Sequence, residues 1–197
     1  MSDLEELNNS QVYIDLQNAL EMCSNDQFRV MRVPDLRGYR NKIQSAEVSI
    51  SVARRVAQGW LDIILLEKQK LEDPGDSDAV APELLPDLVS LLSVAPTTVS
   101  DDDNPRLAAS LLDASNCDSE LLGVLLNILD KILVTKDMNV WLQGSSELFD
   151  ETVGNIAAFE KILSKLRKRC HKSIDSLQDE IVGRIKSGEV KVDEIIK

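Results

Sequence analysis

Apolar residues recur at helical spacing in two long series along the chain. The first series advances three or four residues at a time from Leu36 to Leu71, a heptad seam typical of a helix packed against a long partner helix. The second advances about 3.6 residues at a time from Phe149 to Ile185, the period of a straight helix buried along one side. We therefore predict two long helices, at about 35–72 and 150–187, the second ending at Gly188.

Shorter helical segments are predicted on either side of the first long helix. An amphipathic segment from Leu4 to Cys23 should end near Ser24-Asn25-Asp26, and Pro34 should stop the connector that follows it. Further helices are expected at about 82–94, 105–115 and 119–134, the last one apolar nearly all round and central to the core. Residues 138–149 should add a turn or two that carries Trp141 and Phe149 into that core.

The absence of any strand pattern indicates an all-α fold. We predict one domain over residues 1–197, with acidic loops near 73–81 and 95–104. Its architecture should be an irregular helical bundle or a short superhelix, framed by the two long helices with several short helices between them.

Charge and cysteine content narrow the functional classes. The net charge of −12, concentrated between Glu72 and Glu120, opposes nonspecific binding to nucleic acid or anionic membranes. The most apolar stretch, 121–134, is too short and too interrupted to span a bilayer, so no membrane association is predicted. Three widely spaced cysteines read as reduced thiols, and the N-terminus lacks the apolar region of a secretory signal. We expect a cytoplasmic or nuclear protein.

Between residues 161 and 172 the charge reverses, with six basic residues and no acid. These residues are Lys161, Lys165, Arg167, Lys168, Arg169 and Lys172. The four lysines are spaced i, i+4, i+7 and i+11 and therefore share one helix face. Three interpretations stay open: an internal or solvent-facing role, including a clasp on the protein's own acidic 72–120 region; an acidic protein partner; or nucleic acid, which the lack of interleaved aromatic residues disfavours.

Candidate chemistry is scarce. The single histidine, His171, is flanked by bases, and Cys170 falls on the apolar side of its helix, so the pair does not form a nucleophile and base. No phosphate-binding loop, dinucleotide fingerprint or metal-ligand spacing is present, so no cofactor, metal or small-molecule substrate is predicted. Ser100, followed by three aspartates, fits an acidophilic kinase acceptor site.

These patterns predict a non-enzymatic helical adaptor or complex subunit that acts through protein contacts, as part of a homo- or hetero-oligomer. The alternative is a nucleic-acid-binding module that uses the basic residues between Lys161 and Lys172. A second candidate surface is the apolar seam of the first long helix, used for internal packing or for a partner. Its residues are Leu36, Tyr39, Ile43, Ile50, Ala57, Trp60 and Ile64.

Overall fold

A computed structural model describes residues 7–72, 116–133 and 146–188. The fold of these residues is all-α, as predicted. The elements are α1 (Gln11–Ser24), a short 3-10 helix (Gln27–Val30), α2 (Val33–Glu72), α3 (Ser119–Ile132) and α4 (Ser146–Lys186). No strand occurs among these described segments.

The two long helices pack against each other in antiparallel fashion, which confirms the predicted frame. Arg40 near the start of α2 bonds Gln178 near the end of α4, and Arg54 further along α2 bonds Glu160, earlier on α4. The α2 seam lies in the contact between them: Leu36, Ile43 and Ile50 are fully buried. Burying each such side chain stabilises the fold by about 1.5–3 kcal/mol.

The ends of the long helices differ slightly from the prediction. Helix α2 begins at Val33 and takes Pro34 into its first turn, where a missing backbone N–H costs no hydrogen bond. Helix α4 begins at Ser146, a turn before the predicted start. It ends as predicted, because Gly188 adopts a φ of 77° that favours glycine after a helix terminus.

The predicted N-terminal helix is interrupted at Ser10: residues 7–9 are helical, and a separate helix, α1, follows. Ser10 takes an extended conformation and its carbonyl accepts the first helical bond, from the Ile14 N–H at 3.0 Å, so α1 starts at Gln11. Serine is favoured at this position because its short polar side chain suits a helix start. At the other end, Arg184 of α4 donates to the carbonyls of Arg29 and Met31 and so attaches the 3-10 helix to α4.

Helix α3 packs against α2 and contributes to the core. Asp118 precedes it, and its side chain accepts the Leu121 N–H at 3.1 Å, a standard N-cap bond. Ser49 of α2 donates to the Asp118 carbonyl at 2.9 Å, which docks the start of α3 on α2. Leu121 and Ile128 are fully buried, so this helix contributes to the core.

Several predicted features lie outside the described residues. These are the helices at 82–94 and 105–115, the acidic loops near 73–81 and 95–104, Trp141 and Ser100. Phe149 is described and is buried, as predicted. In the described helices, no segment combines the length and the apolar character needed to cross a bilayer.

Candidate interaction surfaces

The basic residues of α4 divide into two groups that face different ways. The four lysines, Lys161, Lys165, Lys168 and Lys172, are exposed, and we call them the lysine stripe. None of them pairs with an acidic residue in the described part of the chain. At 1.5 Å per residue the stripe extends about 16 Å along the outer face of α4.

The two arginines of the same run are engaged by neighbouring helices. Arg167 Nε lies 2.8 Å from Glu47 Oε1 and 2.8 Å from Ser51 Oγ, both on α2. Arg169 NH1 donates to Gln17 Oε1 of α1 at 2.7 Å. The six bases predicted as one surface are therefore two arginines that join helices and four lysines that face solvent.

Arg167 belongs to a polar group between α2 and α4 that we call the Glu47 cluster: Glu47, Ser51, Arg167 and His171. Glu47 Oε1 accepts from Ser51 Oγ at 2.7 Å and from Arg167, and His171 Nε2 lies 3.2 Å away. Burial raises the pKa of Glu47, but the bonds from Ser51 and Arg167 and the charges nearby outweigh it, so the pKa lies below the ordinary value.

A second group, the Glu160 cluster, repeats this arrangement further along the helix pair. It consists of Glu160, Ser164, Arg54 and Gln58. Glu160 Oε1 accepts from Ser164 Oγ at 2.9 Å, from Arg54 NH1 at 3.2 Å and from Gln58 Nε2 at 3.2 Å. Here α4 supplies the carboxylate and the serine, whereas in the Glu47 cluster α2 supplies them.

Both long helices carry one sequence pattern: Glu, then Ser four residues later, Arg after three more, Gln or His after four more, and Asp after a further four. It runs from Glu47 to Asp62 in α2 and from Glu160 to Asp175 in α4. Because the helices are antiparallel, this repeat relates the two clusters by an approximate twofold axis. Sequence reasoning singles out Arg167 and His171 but not the repeat; aligning the two helices on their polar positions reveals the repeat, although not which of its residues pair.

An open groove of about 390 Å³ lies beside the Glu160 cluster. It is lined by Gln58, Leu61, Asp62, Leu65, Ala157 and Glu160. Leu65 and its neighbour Leu66 are 47% and 40% exposed, although the density of apolar residues in this part of α2 predicts burial. The seam residues on the other side of α2 face the core.

The two candidate catalytic residues, His171 and Cys170, do not form a reactive centre in the described part of the chain. His171 is 48% exposed and lies at the surface against Glu47. Cys170 is fully buried, as its place on the apolar face predicts, and burial raises the pKa of its thiol to about 12. Across the described segments, no group of three or more potential ligands is arranged to hold a metal ion.

Comparison with known proteins adds one finding. A family model described as RsiG-like matches residues 24–89. The match covers about a third of the chain, including all of α2 and the half of the repeated pattern that α2 carries. The RsiG-like family is regulatory, of the anti-sigma type, and non-catalytic. No curated protein and no solved structure matches the chain.

The RsiG-like match fits a helical regulatory or adaptor protein. It ends before α3 and α4, so the lysine stripe and the α4 half of the repeat lie outside it. Residues 24–89 do include the apolar seam and the exposed Leu65 and Leu66. The match therefore covers α2 with its seam and its two exposed leucines, and it leaves out the lysine stripe of α4.

Proposed function

We propose that this protein is a non-enzymatic regulatory adaptor that acts by binding another protein. The observation that carries the proposal is the RsiG-like match over α2, since that family is regulatory and non-catalytic. Catalysis is not proposed, because His171 lies at the surface and Cys170 is a buried thiol whose pKa is raised to about 12.

The architecture supports such a role. Helices of 40 and 41 residues are about 60 Å long, and their mutual packing makes a stiff support for side chains on their outer faces. Two polar clusters fix the stagger of the helices, because each carboxylate is bonded from both of them. The outer faces are thus held in a constant relation, which suits recognition of a partner without large rearrangement.

The free thiols favour a reducing compartment, the cytoplasm or the nucleus, as the place where the protein acts. Cys23 and Cys170 are buried and unpaired with each other, and Cys117 is partly exposed. Such thiols persist where glutathione and thioredoxin keep cysteines reduced. The partner is accordingly expected to be a protein of the same compartment.

Binding is tested with the full chain as immobilised bait in extract from the source cells. The matched control is Ile50→Asp, which places a charge in the fully buried seam and should unfold the helix pair. We expect a protein that is retained by the wild type, lost with the control, and able to form a stable complex from purified components. Failure to reconstitute any retained protein as a defined complex would reject the proposal.

A further inference from the structure

We propose that the lysine stripe is the docking surface for an acidic amphipathic helix of the partner protein. This inference rests on the proposed function and adds to it the chemistry of the partner. The stripe consists of Lys161, Lys165, Lys168 and Lys172, and it lies outside the RsiG-like match.

The basic residues of α4 have two different environments. Arg167 and Arg169 bond Glu47 and Gln17 on neighbouring helices, so the internal structure accounts for them. The lysines point the other way, and in the described part of the chain they take part in no ion pair. Positive charge at this density, on a protein of net charge −12, attracts acidic groups locally even though the molecule as a whole is anionic.

The spacing of the four lysines matches the repeat of a second helix. A partner helix with Asp or Glu at i, i+4, i+7 and i+11 presents a carboxylate stripe of the same pitch and about the same 16 Å length. Laid along α4, it brings each carboxylate opposite a lysine. Single exposed ion pairs are weak, so the stripe should act mainly through association rate and orientation.

A protein helix fits the stripe better than nucleic acid does. A nucleic acid is a long polyanion, and beyond the short stripe it would meet the repulsion of a protein with 34 acidic and 22 basic residues. The stripe also lacks aromatic side chains between its lysines, on which exposed bases could stack.

The direct test uses fluorescence anisotropy with a labelled acidic helical peptide that carries Glu at the four matching positions. A scrambled peptide of equal composition and a short single-stranded DNA serve as competing probes. Lys165→Glu/Lys168→Glu should weaken binding of the patterned peptide about tenfold or more, and Lys165→Arg/Lys168→Arg should retain it. The matched control, Arg32→Glu/Lys42→Glu, makes the same charge change at exposed sites away from the stripe and should have little effect.

Three results would overturn the inference: no binding of the patterned peptide, equal weakening by the control pair, or tighter binding of DNA than of peptide. All four changed positions are exposed, and circular dichroism verifies that each variant keeps its helices. Binding should also weaken as salt rises, because the stripe is solvent-exposed and its charges are screened.

Repeating the bait experiment with Lys165→Glu/Lys168→Glu separates this inference from the proposed function. Loss of a partner that wild type retains and that reconstitutes supports both. Retention by the variant with unchanged affinity leaves the adaptor role standing and rejects the lysine stripe as its docking surface. If wild type yields no reconstituting partner, the adaptor proposal fails, and the peptide titration alone decides whether the stripe selects acidic helices.

Discussion

Glu47 shows at the residue scale how one side chain joins the two long helices. It is largely buried, and its carboxylate is held by Ser51 on its own helix and by Arg167 and His171 on the other. A buried carboxylate normally resists ionisation, but these donors favour the charged form and keep the pKa of Glu47 below its ordinary value. The charged cluster is therefore part of the folded state.

Acidification should consequently weaken the fold through Glu47. Because the folded pKa is depressed, the stabilisation is present above pH 4.5 and is lost as pH falls through the folded pKa. Glu47→Gln should lower the free energy of unfolding at pH 7 by about 1.5–3 kcal/mol, the usual range for a hydrogen bond to a charged group. Urea denaturation between pH 7 and pH 3 should show the difference from wild type shrinking below pH 4.5.

Glu21→Gln provides the control, because the Glu21 side chain is exposed and its change should alter stability little at either pH. A gap between wild type and Glu47→Gln that stays constant down to pH 3 would contradict the assigned pKa direction for Glu47.

The thiol of Cys170 should be unreactive in the folded protein. Burial first, and the nearby charge of Glu47 second, raise its pKa to about 12, and burial also raises the pKa of Cys23. Since the thiolate is the nucleophile, iodoacetamide should alkylate the partly exposed Cys117 well before Cys23 or Cys170. Peptide mass spectrometry measures the order in which the cysteines are alkylated. In urea, where the protein is unfolded, the three cysteines should react at comparable rates. Alkylation of native Cys170 at the rate of Cys117 would refute the assignment.

At the scale of the elements, the two clusters should couple α2 to α4 in the same way. A double-mutant cycle on Arg54 and Glu160 is expected to give an interaction energy of about 0.5–3 kcal/mol, and a cycle on Arg167 and Glu47 a similar one. Each pair is bonded across the helix interface, at 3.2 Å and 2.8 Å respectively. Unfolding free energies of the alanine variants provide the measurement.

Arg54 with Glu47 is the matched control pair, since both are on α2 and belong to different clusters. Their cycle should give coupling near zero. Equal coupling in all three cycles would mean that general electrostatics, and no specific bonding across the interface, accounts for the energies.

The elements also show what a single sequence reveals. The spacing of Leu36, Ile43 and Ile50 predicts α2 because burial of one helix face imposes its period on the chain. The polar clusters leave no such signature, since Glu47, Arg54 and Glu160 become partners only when the stagger of two antiparallel helices is known. The same missing stagger explains why Arg167 was grouped with the lysines: its long side chain reaches back to α2, and no local pattern specifies that.

At the scale of the whole molecule, the described residues form a long helix pair with α1 and α3 packed against it. The apolar seam of α2 is buried within one chain, so its residues are not available for a dimer contact. In the described part of the chain, the surface includes the lysine stripe on α4 and the half-exposed Leu65 and Leu66 on α2. These outer faces carry different chemistries, charge on one and apolar surface on the other.

This arrangement predicts a monomer whose thermal stability does not depend on concentration. A dimer sharing the seam would lose its core on dissociation, and its melting temperature would rise with protein concentration by mass action. Since Leu36, Ile50 and Ile64 are buried within one chain, melting should be unchanged over a roughly hundredfold concentration range, and sedimentation equilibrium should give the monomer mass. A concentration-dependent melting temperature would reject this reading. If dimers form, Leu65→Ser/Leu66→Ser tells where: restored monomers locate the contact at the exposed leucines, and dimers that persist place it elsewhere.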